Sequence, residues 1–414
     1  MFLNTGDIRT CSGCASCYNI CGHDAIKFDK DKNGFSIPVK DLHKCTNCGL
    51  CEKVCPIEHP DYSNIIEPKP YAAYDPKERR KSSSGGIFYT IAKYVISKGG
   101  IVYGASFDEN LNLHHSGVDT LDGLEKLRGS KYLQSDIGDS FKEIRNHLRK
   151  GRLVYFVGTP CQVAGLKAFL MRRYDNLITS DLVCHGVPSQ TLFDKHLSYL
   201  KGKEGSDVKN YSFRNTDYWF TREEVQYVDG KKSVNNDGNM SPYLYAFGLG
   251  YSFRDCCFEC KFAKIPRQGD ITLADYWGIG RFHPEIDDRG GVSMVLVNSS
   301  KGNKIWEEIK SSIVFKNSDI EACTKYNPNI IRPTKEPIDR AKFFELLQKE
   351  PYEVVANTML QCPPSMRNTK IDRQMRLRKL GIMQPIDAMK VGFKKIIAAL
   401  HLNKIAYELY RKIH

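Results

Sequence analysis

The segments CSGCASCYNIC, residues 11–21, and CTNCGLCEKVCP, residues 45–56, each contain four cysteines in the pattern C-x-x-C-x-x-C-x-x-x-C. The second segment repeats the first and adds Pro56 after its last cysteine. Three thiolates on one tight loop can reach three irons of one cubane, while the fourth cysteine leaves on a short helix and reaches the neighbouring cubane. The pattern therefore predicts two [4Fe-4S] clusters that exchange their fourth ligand.

This spacing is typical of bacterial ferredoxins with two clusters. We assign one cluster to Cys11, Cys14, Cys17 and Cys55, and the other to Cys45, Cys48, Cys51 and Cys21. A zinc module or a disulfide knot is the alternative, but zinc sites pair two short C-x-x-C knuckles and rarely use three cysteines of one loop. The first run departs from the usual pattern at Gly22, where proline is normal.

The composition indicates a globular protein of two or three domains from a reducing compartment. The chain has 414 residues, 41% of them hydrophobic, and an odd number of cysteines, 15, of which over half have iron–sulfur spacing. Residues 1–10 show no cationic start followed by an apolar stretch, so no signal peptide is expected. No apolar run is long enough to span a bilayer, and we expect a cytoplasmic location.

The positive charge is concentrated at the C-terminal end. The formal net charge is +13, and residues 365–414 contribute most of it. The same stretch places apolar residues on one face of a predicted helix, namely Ile386, Met389, Phe393, Ile396, Ile397 and Leu400. A basic amphipathic helix of this kind docks on a partner or on the inner membrane surface, or packs on the body of its own protein. Nucleic-acid binding is not expected, because no recognised module accompanies the basic residues.

The middle of the chain alternates between strand and helix patterns. A hairpin is predicted around Asn33-Gly34, a helix at 87–96, and strands at 101–107, 154–157 and 177–184. Between the hairpin and this helix, Pro56, Pro60, Pro68 and Pro70 predict an extended linker. Cys161 and Cys184 follow two of these strands, and open α/β sheets bind their ligands at the carboxyl ends of strands. With Cys257 and Cys260 they form a candidate four-thiolate set. Zinc would satisfy the same ligands, and a buried cysteine can also be a small core residue.

Six further motifs occur in a fixed order along the chain. They are Ser83 to Gly86, Leu127 to Tyr132, Gly158 to Gln162, Cys184 to Gly186, Arg254 with Cys257 and Cys260, and Asp270 to Gly278. Together they resemble the family of beta subunits of coenzyme F420 hydrogenases and dehydrogenases, fused here to an N-terminal ferredoxin with two clusters. Two departures from the family pattern are Cys256, beside Cys257, and Ala274, where glycine is frequent. On an extended loop Cys256 would point away from Cys257, and we expect it to be a small packed thiol.

The resemblance implies a cofactor set and a site. Members bind FAD and a [4Fe-4S] cluster in the catalytic portion, which makes Cys161, Cys184, Cys257 and Cys260 the expected ligands of a third cluster. The expected flavin neighbours are Ser84, Gly85, Gly86, Ser130, Lys131, Gly158 and Thr159. His185, beside a ligand cysteine, is a candidate proton donor, with a structural hydrogen bond as the alternative.

The expected architecture is α+β with α/β character. Residues 1–62 form a ferredoxin-like (βαβ)2 module, and residues 63–150 and 151–335 form the N- and C-terminal parts of a mixed-sheet α/β flavin domain, the second part with the third cluster. Residues 336–414 form a helical basic tail.

The resemblance also implies an oxidoreductase function. Electrons would move between ferredoxin-type clusters and a two-electron substrate through FAD, with a ferredoxin or reductase as redox partner and a small or lipid-linked substrate. Similar proteins are encoded among surface-glycan assembly genes. The alternative is an electron-transfer subunit of a larger redox complex with no substrate of its own.

Overall fold

The computed structural model describes residues 1–65, 67–215, 220–235, 237–288 and 290–366. Its N-terminal module contains three short helices and one antiparallel hairpin. The helices are α1 (Phe2–Thr5), α2 (Ser16–Ile20) and α3 (Leu50–Lys53), and the strands are β1 (Ile26–Lys30) and β2 (Ser36–Lys40). The sequence predicts a (βαβ)2 arrangement for this module. In the structure, residues 1–65 contain two cysteine-bearing helices, α2 and α3, but only one pair of strands, β1 and β2. The hairpin turns at Asn33 and Gly34, as predicted, because Gly34 has a positive φ of 80°.

The body of the protein is built on an eight-stranded mixed sheet in the order β13-β3-β12-β11-β7-β6-β4-β5. Its strands are β3 (Lys69–Tyr74), β4 (Ile101–Phe107), β5 (Leu113–Val118), β6 (Val154–Gly158), β7 (Leu177–Leu182), β11 (Ile271–Asp275), β12 (Ser293–Val297) and β13 (Val314–Asn317). The strands β4, β6, β7 and β11 are parallel, and the outer pairs are antiparallel. The residues of the parallel strands are mostly buried because both faces of the sheet are covered, and in β7 the buried residues include the polar Thr179, Ser180 and Asp181.

Helices cover the two faces of this sheet. The first four helices of the body are α4 (Ile87–Ser97), α5 (Leu121–Leu127), α6 (Ser140–Arg149) and α7 (Pro160–Leu170). One buried core joins α4, α5 and α11 (Ser300–Ile309) to the sheet, and a second joins α6 and α7 to its other face. Two short helices, α10 (Ile279–Phe282) and α12 (Ile320–Lys325), close the end near β12.

A second, three-stranded sheet packs beside the first. It has the order β10-β9-β8, from β8 (Val208–Asn215), β9 (Phe220–Tyr227) and β10 (Lys232–Asn235). Its aromatic core includes residues of α8 (Gln190–Glu204), α9 (Pro242–Leu249), α13 (Arg340–Lys349) and α14 (Tyr352–Met359). The first part of the expected tail is therefore helical and packed on the body. The predicted amphipathic helix at 386–400 lies outside the described residues.

The observed elements confirm the expected mixed α/β class. The segments expected as two parts of one domain, 63–150 and 151–335, both contribute strands to the large sheet. The linker expected around Pro68 and Pro70 is instead the start of β3, where Pro70 lies opposite Leu296 of β12. No helix in the described part of the chain is both long and apolar enough to cross a membrane.

Candidate functional site

The inner site consists of Cys11, Cys14, Cys17 and Cys55, which line one cavity in the N-terminal module. Most of its other lining residues are apolar and include Phe2, Phe28 and Ile57. Burial raises the pKa of the Cys14 thiol to about 12, so a thiolate there requires a compensating positive charge. Four cysteines around an apolar cavity fit a [4Fe-4S] cluster, whose irons supply that charge.

The predicted outer site would be formed by Cys45, Cys48, Cys51 and Cys21. Cys48 is exposed and the other three are partly exposed, in contrast to the buried Cys11 and Cys14. Cys21 follows helix α2 directly, and Cys55 lies two residues beyond α3, so each fourth cysteine leaves on a short helix as predicted. The module thus places one set of cysteines toward solvent and the other toward the body.

The third site brings together cysteines from three separate segments. Cys161, Cys184, Cys257 and Cys260 all line one cavity. Cys161 lies in the first turn of α7 after β6, and Cys184 follows β7; these two parallel strands end at the same edge of the sheet. No group of three or more His, Cys, Asp or Glu side chains within the described ranges is arranged to hold a metal ion. The thiols of Cys161, Cys184, Cys257 and Cys260 therefore line the cavity without forming a site for a single metal ion.

The loop with two adjacent cysteines differs from the expectation. An extended strand would point Cys256 and Cys257 in opposite directions, but residues Asp255–Glu259 form a 3-10 helix. Cys256 consequently lines the same cavity as Cys257 and is buried, with 8% of its surface exposed. The expectation of an extended loop was wrong because the Cys257 N–H donates to the Arg254 carbonyl and closes the backbone into a turn.

A buried arginine supplies positive charge at the third site. Arg267 lines the cavity, is 1% exposed, and forms an ion pair with Asp181 at 3.1 Å. Its Nη2 donates to the Leu182 carbonyl at 2.9 Å, while its Nε has no hydrogen-bond partner among the described residues. A buried donor without a partner in the wall of a four-thiol cavity fits an anionic thiolate-bound cluster. Arg267 lies seven residues after Cys260 in no recognisable motif, so the sequence gives no signal for it.

A hydrogen-bond network of buried and partly buried side chains leads to Cys161 through Thr159. The Thr159 hydroxyl lies 3.1 Å from the Cys161 Sγ and 3.1 Å from the Gln162 Oε1. Gln162 donates to the Ser135 hydroxyl, which in turn lies 2.9 Å from Nδ1 of the buried His115. Because the Val157 carbonyl can only accept, the His115 Nε2 carries the proton and donates to it at 3.0 Å. Thr159 is therefore part of the support of a cysteine ligand.

The other expected flavin neighbours lie in two places, the joined loops at 83–86 and 130–131 and the end of β6. Ser130 N–H donates to the Ser83 hydroxyl at 2.8 Å, which joins the 83–86 loop to the 130–131 loop. The Ser84 hydroxyl donates to the Val292 carbonyl at 3.2 Å. The Lys131 amine donates to the carbonyls of Leu127 at 3.0 Å and Arg128 at 2.9 Å, at and just after the end of α5, and burial lowers the pKa of this amine to about 7. Gly158 lies with Thr159 at the end of β6, beside the third site.

The packing of the chain leaves room only for glycine at position 85. A Cβ at this position would lie 2.3 Å from the Ala73 carbonyl oxygen and 2.6 Å from the Ser293 backbone nitrogen. Gly86 has a positive φ of 85° at the start of α4. Both glycines are thus explained by the packing and turn geometry of the chain, without a ligand.

Arg214 joins the loops that the sequence motifs identified. It donates to the Ser83 carbonyl at 2.9 Å, to the Tyr132 hydroxyl at 3.1 Å and to the Asp275 carboxylate at 2.7 Å. It comes from the aromatic-rich region 201–250, where the sequence showed no clear pattern. His185 lies in the wall of the third-site cavity, and burial lowers the pKa of its imidazole while Asp275 opposes that shift.

Two parts of the chain match known protein families. Residues 151–322 match the family model for the C terminus of the coenzyme F420 hydrogenase/dehydrogenase beta subunit, and residues 10–58 match the 4Fe-4S dicluster domain. The F subunit of the F(420)H(2) dehydrogenase of Methanosarcina mazei is 23% identical over 295 residues, which cover 67% of this chain and 80% of that protein. An uncharacterized ferredoxin of Methanocaldococcus jannaschii is 36% identical over 50 residues, 12% of this chain and 64% of that ferredoxin.

One solved structure is also similar. A chain of the F420-reducing NiFe hydrogenase complex from Methanosarcina barkeri matches with a TM-score of 0.43 and 18% identity, over 75% of this chain and 99% of that chain. The family matches confirm the resemblance to coenzyme F420 hydrogenase and dehydrogenase beta subunits with an N-terminal dicluster domain, from which the site residues were predicted. The chain is an iron–sulfur electron-transfer protein with a 4Fe-4S dicluster domain at its N-terminal end, and it is related to the beta subunits of coenzyme F420 hydrogenases and dehydrogenases.

Proposed function

We propose that this chain is a ferredoxin-linked, flavin-dependent oxidoreductase that transfers electrons between its dicluster module and a two-electron substrate. A third [4Fe-4S] cluster, held by Cys161, Cys184, Cys257 and Cys260, and FAD complete its cofactors in this proposal. The substrate class, small or lipid-linked, and a role in surface-polysaccharide synthesis stay predictions from the family resemblance.

The adjacency of the inner and third sites is the observation that supports this proposal most directly. Thr10, Ser12 and Ile57 line both cavities. Cys55 of the inner site and Cys161 and Cys260 of the third site all pack against one small apolar cluster formed by Ile57, Ala164 and Phe262. A wall shared by two four-cysteine cavities suits electron exchange, whereas two unrelated structural metal sites would not need one.

The flavin would lie where the loops joined by Arg214 meet. Ser84 and Ser130 belong to these loops, and Arg214 and Asp275 form a buried ion pair beside them. When bound, FAD supplies the exchange between single electrons and an electron pair that one-electron clusters lack. The residues of this chain would bind and orient it, and the buried pair would keep the loops in place. Two electrons from a low-potential donor protein and one proton balance the transfer of one hydride equivalent to the substrate.

The outer site is the expected contact for the donor protein. Cys48 is exposed, and the exposed apolar residues Val39 and Leu42 lie in the same part of the module, with exposed fractions of 46% and 75%. Lys40 and Lys44 flank Leu42 in the sequence. An apolar patch bordered by basic side chains suits an acidic redox partner such as a ferredoxin.

Iron and flavin analysis after anaerobic reconstitution tests the proposal. Three cubanes predict about twelve irons per chain, and one FAD is expected with them. Cys184→Ser should lower the iron content to about eight, while Cys323→Ser should leave it unchanged, because Cys323 is buried in the core near β12 and away from all three sites. About eight irons with stoichiometric zinc in the wild-type protein would exclude the third cluster.

A second function is favoured by one relative. The Methanosarcina mazei protein is a subunit of a dehydrogenase, so this chain would be an electron-transfer subunit whose chemistry occurs on another polypeptide. Reoxidation assays separate the two functions. The photoreduced chain alone should reoxidise with small two-electron acceptors if it is an enzyme, and only with a protein partner if it is a transfer subunit.

A further inference from the structure

A buried arginine links the inner site to the loop of the third site. Arg254 is 2% exposed, although no carboxylate pairs with its guanidinium in the described part of the chain. Its Nε donates to the Cys11 carbonyl at 2.8 Å, and its Nη2 lies 3.6 Å from the Cys11 Sγ. A charge without a carboxylate partner is costly inside a protein unless another anion compensates it.

The remaining contacts of Arg254 are all with neutral groups. Its Nη1 donates to the Ser36 carbonyl at 2.9 Å and to the Gln134 Oε1 at 3.2 Å, and the guanidinium lies 5.6 Å from the centre of the Phe35 ring. Gln134 in turn donates to the Ser12 carbonyl at 2.8 Å. Two side chains of the body, Arg254 and Gln134, therefore form hydrogen bonds to the loop that contains Cys11 and Ser12, and the first of them is a cation.

The backbone of the same arginine belongs to the third site. Arg254 precedes the 3-10 helix Asp255–Glu259, and its carbonyl accepts from the Cys257 N–H at 3.0 Å. One residue thus contacts a ligand cysteine of the inner site with its side chain and the cysteine loop of the third site with its backbone. A displacement of either loop would be transmitted to the other.

We propose that Arg254 is a positioning residue that raises the reduction potential of the inner cluster and holds its ligand loop against the third site. The compensating anion for its charge is the cluster with its thiolates. A cation and an N–H donor next to a ligand sulfur favour the reduced, more negative form of a cluster. The cysteines of the outer site have no such contact with Arg254, so loss of the Arg254 charge should lower the potential of the inner cluster and leave that of the outer cluster in place.

With both clusters bound, an electron supplied by a reduced donor protein would pass from the outer to the inner set of cysteines, so that the outer cluster would lose one electron and the inner cluster would gain it. The inference depends on the proposed function only for the destination of the electrons beyond the inner site. The effect of Arg254 on the inner cluster itself requires only the dicluster domain.

Redox titration followed by electron paramagnetic resonance tests the inference on the reconstituted full chain. Arg254→Gln should shift one ferredoxin signal to lower potential and leave the other in place, and Arg254→Lys should give a smaller shift. The Cys48→Ser variant, which alters the outer cluster, assigns the two signals. Where Arg254→Gln fails to bind iron, Arg254→Lys replaces it in the test.

Arg340→Gln is the matched control. Arg340 is also buried and holds the same loop, because it donates to the Phe253 carbonyl at 2.7 Å and pairs with Asp255 at 3.0 Å, but its hydrogen bonds go to no cysteine. It should leave both potentials unchanged. Equal shifts in the two variants, or no shift in Arg254→Gln at full iron content, would overturn the inference. A wild-type iron content of about eight would contradict the third cluster of the proposed function and not the role of Arg254.

Discussion

Gly165 lies directly against Cys14. A Cβ atom at position 165 would fall 2.9 Å from the Cys14 Cβ and 3.1 Å from its Sγ, closer than real side chains pack. Gly165 is in the middle of α7, the helix whose first turn contains Cys161. The helix that contributes a ligand to the third site is therefore also the surface on which the inner site rests, and a glycine makes that contact possible.

Gly165→Ala should destabilise the protein. Alanine normally stabilises a helix interior by about 1 kcal/mol relative to glycine, but overpacking a tight contact costs about 1–3 kcal/mol. We expect a lower thermal unfolding midpoint and reduced iron content. Gly202→Ala in α8 is the control, because a Cβ there meets nothing within 4 Å and should stabilise the protein slightly. A stabilised Gly165→Ala variant with full iron would contradict the contact.

The Cys256–Cys257 pair provides a test of the ligand assignment. The C-x-x-C spacing of Cys257 and Cys260 lets two sulfurs converge on one cluster, so Cys257→Ser should remove the third cluster. Cys256→Ser should preserve the cluster spectrum and turnover, although Cys256 faces the same cavity. Iron content and the visible spectrum measure both results. The reverse pattern would show that Cys256 and Cys260, one helical turn apart, are the ligands.

Gly85→Val should abolish folding of the body and not merely flavin binding. The position of the Ala73 carbonyl leaves no room for a side chain, so β3 and β12 would have to separate. We expect insoluble or proteolysed protein, and therefore a poor test of the flavin site. Ser84→Ala is better suited, since it removes one hydroxyl without a clash. Its FAD content should fall while the iron content is retained; unchanged FAD would place the flavin away from Ser84.

His115 should make stability depend on pH. Burial lowers the pKa of its imidazole to about 4, below the ordinary value of 6.5, so the unfolded chain binds the extra proton first. Stability contributed by neutral His115 is complete above pH 6.5 and is lost as the pH falls toward 4, in total about 3 kcal/mol. The unfolding midpoint of His115→Gln should therefore fall less between pH 7 and pH 5 than that of the wild type.

His114→Gln is the control for this pH dependence. His114 is the neighbour of His115 but is less buried, and its Nδ1 makes only a long contact, 3.4 Å, to the Asn112 carbonyl. The variant should follow the wild-type pH profile, and comparison of the variants removes any effect of acid on the clusters. A His115→Gln profile parallel to that of the wild type would show that His115 does not titrate with unfolding.

The amino-acid sequence by itself determined the cluster type, the family and most elements around the ligands. Ligand spacing within a loop is a local property, so the C-x-x-C-x-x-C runs identified the dicluster domain without knowledge of the fold. Apolar strands and capped helices are also local, and α4, β4 and β6 lie within a few residues of their predicted positions. The strand β3 was missed because its prolines suggested a linker.

Only the tertiary structure decided which distant residues meet. Arg267 and Arg214 belong to no motif in the sequence, and the motif that contains Arg254 gives no role for it. The roles of these arginines arise from contacts with residues up to 243 positions away, as for Arg254 and Cys11. The shared wall of Ser12 and Ile57, the contact of Gly165 with Cys14, and the turn that places Cys256 in the cavity depend on how segments pack. Packing is a non-local sum of many weak interactions, and no spacing rule within one segment encodes it.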